Sequence, residues 1–339
     1  MTALHSSHGH QGSPPALFAA LDLGTNNCRL LIGAPTRQGF RVVDSFSRIV
    51  RLGEGLAGSG ALSDAAMDRT ISALSACAER LHRRPVRRLA AVATEACRRA
   101  ANGPIFLARA AQETGLRPRI ISPREEAELA MESCAPLLEP GDRRAILFDI
   151  GGGSTEIAWI RAASTQNGPR PELIGYLSIP CGVVTLAERE GGDCFSAHGF
   201  REVVDDIHAR LMSFDRLHCI GQEIRRGGVR LIGTSGTVTT LAGVVMDLPK
   251  YRRQLVDGTR LASEAADDAM TQLFAMGRVG LSAHPCIGPE RADFVLPGCA
   301  VYAAIRKLWP VGELTVADRG LREGMLMRLM RGDRGAWRA

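Results

Sequence analysis

The chain has 339 residues, of which 45% are hydrophobic and 23% are charged, and its formal net charge is +6. This length predicts two domains, and this composition is typical of a globular protein that can bury a core. Because no apolar run approaches the roughly 18 residues of a membrane span, we do not expect a membrane protein.

The first 15 residues, MTALHSSHGHQGSPP, lack the basic and apolar regions of a secretory signal. Although they include His5, His8 and His10, we expect a disordered tail over residues 1–15 and not a metal site. The nine cysteines of the chain include no C-x-x-C pair, which indicates reduced thiols in a cytoplasmic protein and not disulfides or zinc.

Two similar segments begin the two halves of the chain. LFAALDLGTNNCRLLIG (17–33) and AILFDIGGGSTEIAWI (145–160) each consist of an apolar strand, an Asp-x-Gly turn and a second apolar strand. An offset of 149 − 22 = 127 residues aligns Asp22 with Asp149, Gly24 with Gly151, and Arg29 with Glu156. A repeated hairpin with helices between the copies predicts two related α/β domains that face each other.

Further elements follow each hairpin. In the first half we predict a strand over 40–50, a helix from about Ser63 and a strand over 88–94. In the second half we predict a strand over 171–179, helices over 182–190 and 197–215, and a strand over 229–237. Residues 312–330 read as a strand, a turn and an amphipathic helix. The predicted division is domain I over 16–135, completed by a C-terminal helical segment over 313–339, and domain II over 136–312.

The segment ISPREEAELAMESC (121–134) carries clear signals of a helix start. Ser122 can be the N-cap, Pro123 occupies the first helical position, and Glu125 can complete a capping box. Glu126 lies about 100° further round the helix and is not needed for capping. Glu126 is therefore available for chemistry.

Glycine turns are the strongest sign of an anion site. Gly151, Gly152 and Gly153 lack side chains that would block a nest of backbone N–H groups, and Ser154 and Thr155 add hydroxyl donors. Asp149 and Glu156 flank this turn and are oxygen ligands of the kind that Mg²⁺ prefers. The turn GTSGT (233–237), before a predicted helix, and the turn DLGTNN (22–27) are two more such loops.

Other phosphate and hydrolase motifs fail on their context. GEGLAG (53–58) has the glycine spacing of a dinucleotide site but lacks the helix that should follow. The only two lysines, Lys250 and Lys307, do not stand in a Gly-Lys-Ser/Thr sequence, so a P-loop is absent. GTSGT is one residue short of a nucleophile elbow.

The excess of arginine favours a partner that carries phosphate, because arginine makes bidentate contacts with phosphate groups. Biased codon usage explains the excess equally well. Aromatic residues make up only 5% of the chain and form no basic–aromatic pattern, so nucleic acid is not expected. A polyphosphate satisfies the same electrostatics.

These motifs stand in the order seen in the exopolyphosphatase / guanosine pentaphosphate phosphatase (Ppx/GppA) family, which the sequence resembles from about residue 17 to residue 330. The resemblance rests on segments 51–56, 93–103, 122–130, 148–159, 233–243, 291–298 and 318–326, together with the first hairpin. It implies an actin-like fold of two ribonuclease-H-like domains with a cleft between them. The chain looks like the short, two-domain form, because it contains no His-Asp dipeptide of the longer relatives' extra domain.

The resemblance also implies roles for individual residues. Glu126 matches the catalytic glutamate, which acts as general base on water, and Asp149 with Glu156 matches the carboxylates that hold Mg²⁺ (or Mn²⁺). The phosphate-binding residues would be Gly24, Thr25, Asn26, Arg29, Arg98, Gly151, Gly152, Gly153, Ser154, Thr155, Gly233, Thr234, Ser235, Gly236 and Thr237, with Arg51 as a weaker candidate. Ser235 departs from the family, which often has glycine there.

The activity that these features favour is exopolyphosphatase, with release of orthophosphate from inorganic polyphosphate and with a preference for shorter polymers. Hydrolysis of the 5′-phosphate of guanosine pentaphosphate, alone or as a second activity, stays open. An actin-fold kinase and a non-catalytic polyphosphate-binding protein are weaker alternatives, because EEA does not resemble a kinase base and all three carboxylates are present. We expect a homodimer, the commonest assembly of such proteins.

Overall fold

The computed structural model describes residues 16–37, 39–165, 168–190 and 196–336. The predicted tail over 1–15, with its three histidines, lies outside the described residues. The strands are β1 (Phe18–Leu23), β2 (Asn27–Thr36), β3 (Gly39–Ile49), β4 (Arg88–Ala93), β5 (Arg119–Ile120), β6 (Arg144–Ile150), β7 (Thr155–Arg161), β8 (Ser164–Thr165), β9 (Gly168–Pro169), β10 (Glu172–Ile179), β11 (Val229–Thr234), β12 (Arg260–Ala262) and β13 (Glu313–Ala317).

The helices predicted from about Ser63, over 121–134, 182–190 and 197–215, after residue 237 and near the C-terminus are present, together with others that were not predicted. They are α1 (Leu56–Ser59), α2 (Asp64–Arg83), α3 (Glu95–Arg99), α4 (Gly103–Thr114), α5 (Pro123–Cys134), α6 (Val183–Glu190), α7 (Ala197–His218), α8 (Ile220–Arg225), α9 (Gly236–Val245), α10 (Arg253–Val256), α11 (Ser263–Ala283), α12 (Ala292–Leu308) and α13 (Leu321–Ala336), with one 3₁₀ turn at Ala135–Leu137. In the described part of the chain, none of them combines the length and apolar character that crossing a bilayer requires.

The two halves contain the same sheet. The first sheet has the order β3-β2-β1-β4-β5, and the second has the order β10-β7-β6-β11-β13-β12. In each, the central strand pairs antiparallel with the second strand of its hairpin and parallel with the strand on its other side. The second sheet adds only β12, antiparallel to β13 at the edge. This is the ribonuclease-H-like arrangement present twice, so the predicted α/β actin-like fold is confirmed.

Strand register places the repeated polar residues as the 127-residue offset predicts. Asp22 lies opposite Arg29 in the first hairpin, and Asp149 lies opposite Glu156 in the second. Both pairs lie near the carboxyl end of the central strand of a sheet. Ligands of α/β proteins bind at this end, so the fold itself brings these residues to a candidate site.

Two helices lie between the sheets. Helix α13 packs against β1 and β2 through Met325 and Leu326, whereas α5 packs against the second sheet through Ala127 and Ala130. The two helices also contact each other. The C-terminal segment therefore serves both halves, because β13 pairs in the second sheet and α13 covers the first. The domain limits at residues 135 and 312 stay a prediction.

The start of α5 differs from the predicted capping box in one respect. The Ser122 hydroxyl accepts a hydrogen bond from the Glu125 N–H at 3.1 Å, and Pro123 occupies the first turn, as predicted. The Glu125 carboxylate, however, accepts from the Arg119 guanidinium, with Nη1 at 2.8 Å. The Glu125 carboxylate thus pairs with Arg119 of β5 instead of accepting a hydrogen bond from the Ser122 N–H, as a complete capping box requires.

Most of the described cysteines lie in the interior. All of those that the structure describes are free, and all except the exposed Cys219 are buried.

Candidate active site

A small cavity of about 90 Å³ lies where the two halves meet. It joins the turns after β1 and β6 with the first turn of α5. Among the residues proposed from the sequence, those that line it are Gly24, Thr25, Asn26, Arg29, Glu126, Asp149, Gly151, Gly152, Gly153, Ser154, Glu156 and Ser235. The two hairpins and the helix thus converge on one space, although they are far apart in sequence.

A second cavity of about 500 Å³ adjoins the first. The two share part of their lining, including Asn26, Arg29 and Ser235. The second cavity is bounded by β2 and β3 on one side and by the start of α9 and α12 on the other. Gly236 and Thr237, proposed from the sequence, line this larger space.

Glu126 is buried in the wall of the small cavity, with 8% of its surface exposed. Burial, followed by the charge of Glu156, raises the pKa of Glu126 well above its ordinary value. Arg98 opposes this shift, because its Nη1 donates to Glu126 Oε2 at 3.2 Å. A carboxylate with a raised pKa at a small polar cavity has the properties of a general base.

Asp149 and Glu156 face each other across β6 and β7. Burial raises the pKa of Asp149 to about 6 and that of Glu156 to about 7, and the charge of Asp149 adds to the shift of Glu156. Two hydroxyls fix Glu156, since Ser154 Oγ and Ser178 Oγ donate to its Oε1 at 2.6 Å and 2.9 Å. The two carboxylates are therefore held in place, and their raised pKa values favour a bound proton or a nearby cation.

The donor set fits a hard divalent cation. In the described ranges, no three His, Cys, Asp or Glu side chains are grouped so that they alone could hold a metal ion. Mg²⁺ does not need such a cage, because it binds through one or two carboxylates and keeps water or phosphate oxygens as its other ligands. Asp149 and Glu156 are two carboxylates that could bind it in this way. Among the residues described, Asn26 Oδ1 is a buried oxygen without a hydrogen-bond partner, which also suits a ligand in this cavity.

The glycine triplet is held by the start of α6. The N–H groups of Val183 and Val184 donate to the carbonyls of Gly151 and Gly152, each at 2.9 Å. Since the two ends of a peptide unit point in opposite directions, the N–H groups of Gly152 and Gly153 point away from α6. Both residues line the cavity, so these donors are placed for an anion.

The glycines also permit a close approach of the first turn. A Cβ on Gly152 would lie 3.2 Å from the Cβ atoms of Thr25 and Asn26, and one on Gly153 would lie 2.6 Å from Thr25 Oγ1. Contact between the two halves is thus a reason for the triplet that the sequence did not reveal.

Ser235 has an unusual backbone conformation. Its φ of 84° lies in the region that favours glycine, which accounts for the glycine that relatives often have there. Its hydroxyl donates to the Ile150 carbonyl at 2.8 Å and so links the turn before α9 to the end of β6.

Some of the proposed residues are not brought to either cavity. Thr155 is fully buried and donates its hydroxyl to the Cys181 carbonyl at 2.7 Å. Thr234 is also buried and bonds to the Arg319 carbonyl. Gly233 packs against Phe148, whose ring would lie 2.4 Å from an added Cβ. The structure gives these three residues contacts inside the protein.

Arg98 and Arg51 also lie outside the cavity walls. Arg98 is held by Glu95, whose Oε2 accepts from its Nε and Nη2 at 3.1 Å and 2.6 Å, and it also donates to the Ile121 carbonyl at 2.7 Å. It therefore contacts Glu126 from behind. Arg51 is exposed and has a φ of 48°.

Sequence reasoning missed two acidic residues of the cavity, Asp22 and Glu95. Burial raises the pKa of Asp22, while the charge of Arg29 lowers it. The 127-residue offset that aligns Asp22 with Asp149 was a signal that could have identified it. Glu95 lies in segment 93–103, three residues before Arg98, but its contact with Arg98 is visible only in the structure.

Two ribonuclease-H-like halves that close on a cavity of glycine turns and carboxylates define a phosphate-processing protein of actin-like fold. Residues 31–332 match the Ppx/GppA phosphatase family. The chain belongs to that family.

Solved structures agree with this assignment. The Ppx/GppA family member of Aquifex aeolicus is 26% identical, with 94% of this chain and 99% of that chain covered and a TM-score of 0.76. An exopolyphosphatase-like protein is 27% identical, with 93% and 97% covered and a TM-score of 0.81. An exopolyphosphatase from Cytophaga hutchinsonii shares the fold at 24% identity, with 93% and 98% covered and a TM-score of 0.82.

Proposed function

We propose that the protein is an exopolyphosphatase, in which Glu126 activates water for attack on the terminal phosphoryl group of inorganic polyphosphate. The observation that carries the proposal is the position of Glu126, buried beside Asp149 and Glu156 in a cavity of about 90 Å³. A space of this size suits a single phosphoryl group and a water molecule better than a larger group.

Glu126 would take a proton from the water as the oxygen attacks. Its raised pKa makes it a stronger proton acceptor than an exposed glutamate, and Arg98 keeps its carboxylate oriented. The N–H groups of Gly152 and Gly153 would stabilise charge on the phosphoryl oxygens, with Arg29 beside them. In phosphoryl transfer, such positioning and neutralisation provide most of the acceleration.

Asp149 and Glu156 would hold Mg²⁺ or Mn²⁺. When bound, the cation supplies charge neutralisation for the phosphate oxygens. The protein's own contribution is to fix the ligands, since Ser154 and Ser178 set the orientation of Glu156 before a metal arrives.

The larger cavity would receive the rest of the substrate. Arg29, Arg48 and Arg291 line it and match a chain of phosphates in charge. Phe294 and Glu290 also line it, and an aromatic ring beside a carboxylate suits a guanine base. This second observation favours guanosine pentaphosphate 5′-phosphohydrolase as the alternative activity.

One experiment tests both. Metal-dependent phosphate release is measured in parallel on short polyphosphate, long polyphosphate and guanosine pentaphosphate. We expect release from polyphosphate, fastest on the shorter polymers, whereas release from the nucleotide alone would establish the alternative. Faster release from long polymers than from short ones would contradict the expected length preference.

A homodimer stays a prediction that sedimentation would check.

The role of Glu126 is tested by E126Q, with E125Q as the matched control. Glu125 is its neighbour on α5 and pairs with Arg119, away from the cavity. We expect E126Q to lose activity by roughly 10²–10⁴-fold with an intact fold, and E125Q to retain activity. Unchanged release by E126Q would refute the assignment of the base.

A further inference from the structure

The segment DRGLREGML (318–326) carries an arginine that the proposed reaction does not use. Arg322 is the second residue of α13, and Leu321 before it lines the small cavity. The side chain of Arg322 is only 18% exposed, and burial lowers its pKa. An arginine is costly to bury unless a counter-charge accompanies it.

Glu323 is the opposite charge that acts most strongly on Arg322, but Arg322 shares it with other donors. Its Oε1 lies 3.9 Å from Arg322 Nη2 but accepts a closer hydrogen bond, 2.8 Å, from Arg253 Nη2. Its Oε2 accepts from the Gly320 N–H at 3.0 Å. The carboxylate is thus already hydrogen-bonded to Arg253 and to the helix start, and it reaches Arg322 only as a longer ion pair at 3.9 Å.

Asp22 is a second acidic group whose charge acts on Arg322, after Glu323. Phe18 and Ala20 pack against α13, and the alternation of β1 places Asp22 on the same face, over the first turn of the helix. Leu31 of β2 also packs against α13, and the same alternation places Arg29 on this face. The charges of Asp22 and Arg322 act on each other, as do those of Arg29 and Arg322.

Asp22 is therefore accompanied by two arginines with different access. Arg29 lines both cavities and can reach a substrate, whereas Arg322 is not among the lining residues of either. We propose that Arg322 is a positioning residue that balances the charge of Asp22 from behind and so leaves Arg29 free to bind the phosphate of the substrate. The inference rests on the proposed phosphatase site.

The test is a double-mutant cycle between Arg322 and Asp22, with phosphate release and its KM as readouts. In R322Q, Arg29 is the only cation left for Asp22, so we expect kcat/KM to fall about tenfold, mainly through KM. In a D22N background, where no charge needs balance, R322Q should change kcat/KM less than about twofold. R322K keeps the charge and should retain most of the activity.

Arg328 provides a matched control on the same helix. It pairs with Glu132 at 2.6 Å on the side that faces α5, so R328Q should leave kcat and KM unchanged. Thermal melting identifies variants that do not fold. If R322Q is one of them, R322M, which also removes the charge, supplies the same cycle in the two backgrounds.

The outcomes separate this inference from the proposed function. A loss in R322Q that persists in D22N, or no loss at all, overturns the positioning role while wild-type phosphatase activity stands. A loss in R322K as large as that in R322Q also overturns it. If wild type releases no phosphate from any substrate, the proposed function fails, and with it the site on which this role depends.

Discussion

Asp149 lies directly opposite Glu156 on the antiparallel pair β6 and β7, with both carboxylates buried. Like charges at opposed positions of a sheet repel each other, and burial adds the cost of desolvation. The pKa of Asp149 is accordingly raised to about 6 and that of Glu156 to about 7. This pair destabilises the fold when both members are ionised, and a bound cation would relieve the repulsion.

The first prediction concerns the stability of metal-free E156Q. Because the pKa of Glu156 is raised in the folded state, its contribution to stability is complete below about pH 4.5 and is lost as the pH rises through about 7. We expect E156Q to be more stable than wild type by about 3 kcal/mol at pH 8 and by less than about 1 kcal/mol at pH 5. Denaturant unfolding in a chelator at both pH values measures the difference.

Glutamine is a suitable replacement because its carbonyl can still accept from Ser154 and Ser178. E172Q, at an exposed glutamate of β10, is the control and should change little at either pH. Added Mg²⁺ should stabilise wild type at pH 8 more than E156Q. A metal-free E156Q that is less stable than wild type at pH 8 would contradict the prediction.

Much of the fold was predictable because its signals are local. Apolar runs indicated the main strands, and the repeated Asp-x-Gly turn indicated the duplication and the equivalence of Asp22 with Asp149. The cross-strand pairs Asp22–Arg29 and Asp149–Glu156 come from the structure. Local signals do not say which sheet a helix packs against. The placement of α5 on the second sheet and of α13 on the first depends on contacts between distant residues.

The site was predictable where it depends on backbone turns and less so where it depends on side-chain partners. The turns 151–153 and 24–26 line the cavity as proposed. Thr155 and Thr234 belong to motifs but turn into the interior, because alternation along a strand sends neighbouring residues to opposite faces. Nothing in the sequence shows that Glu95 holds Arg98.

The second prediction follows from the contact between Arg98 and Glu126. R98Q removes the cation that lowers the pKa of Glu126, so that pKa should rise, and the acidic limb of kcat/KM should move to higher pH. Loss of orientation should also reduce kcat/KM at neutral pH by roughly 10–100-fold. A pH–rate profile of phosphate release measures both effects.

R99Q is the control for R98Q. Arg99 is the adjacent, more exposed arginine of α3 and lies 3.8 Å from Glu95. We expect its pH profile to coincide with that of wild type. R98K should keep the acidic limb near its wild-type position, and an unmoved limb in R98Q would show that Arg98 does not act on the base.

The third prediction separates strain from hydrogen bonding at Ser235. S235A keeps a side chain at φ 84° and loses the bond to the Ile150 carbonyl, so it should be about 1–2 kcal/mol less stable than wild type. S235G loses the same bond but relieves the strain, which should make it about 1 kcal/mol more stable than S235A. Thermal unfolding of the three proteins gives the order, and an S235G that melts below S235A would rule out strain at this turn.

The fourth prediction concerns the contact between α6 and the glycine triplet. A Cβ on Gly182 would lie 2.4 Å from both the carbonyl carbon and the carbonyl oxygen of Gly152, and backbone on both sides prevents an inexpensive shift. G182A should therefore cost about 1–3 kcal/mol of stability.

G236A is the contrasting variant, because nothing lies within 4 Å of its added Cβ and its stability should stay within about 0.5 kcal/mol of wild type. Gly236 lines the larger cavity, so G236A should instead weaken substrate binding. If G182A is as stable as wild type, the carbonyls of Gly151 and Gly152 are not fixed by α6, and the orientation of the N–H groups toward the cavity loses its structural basis.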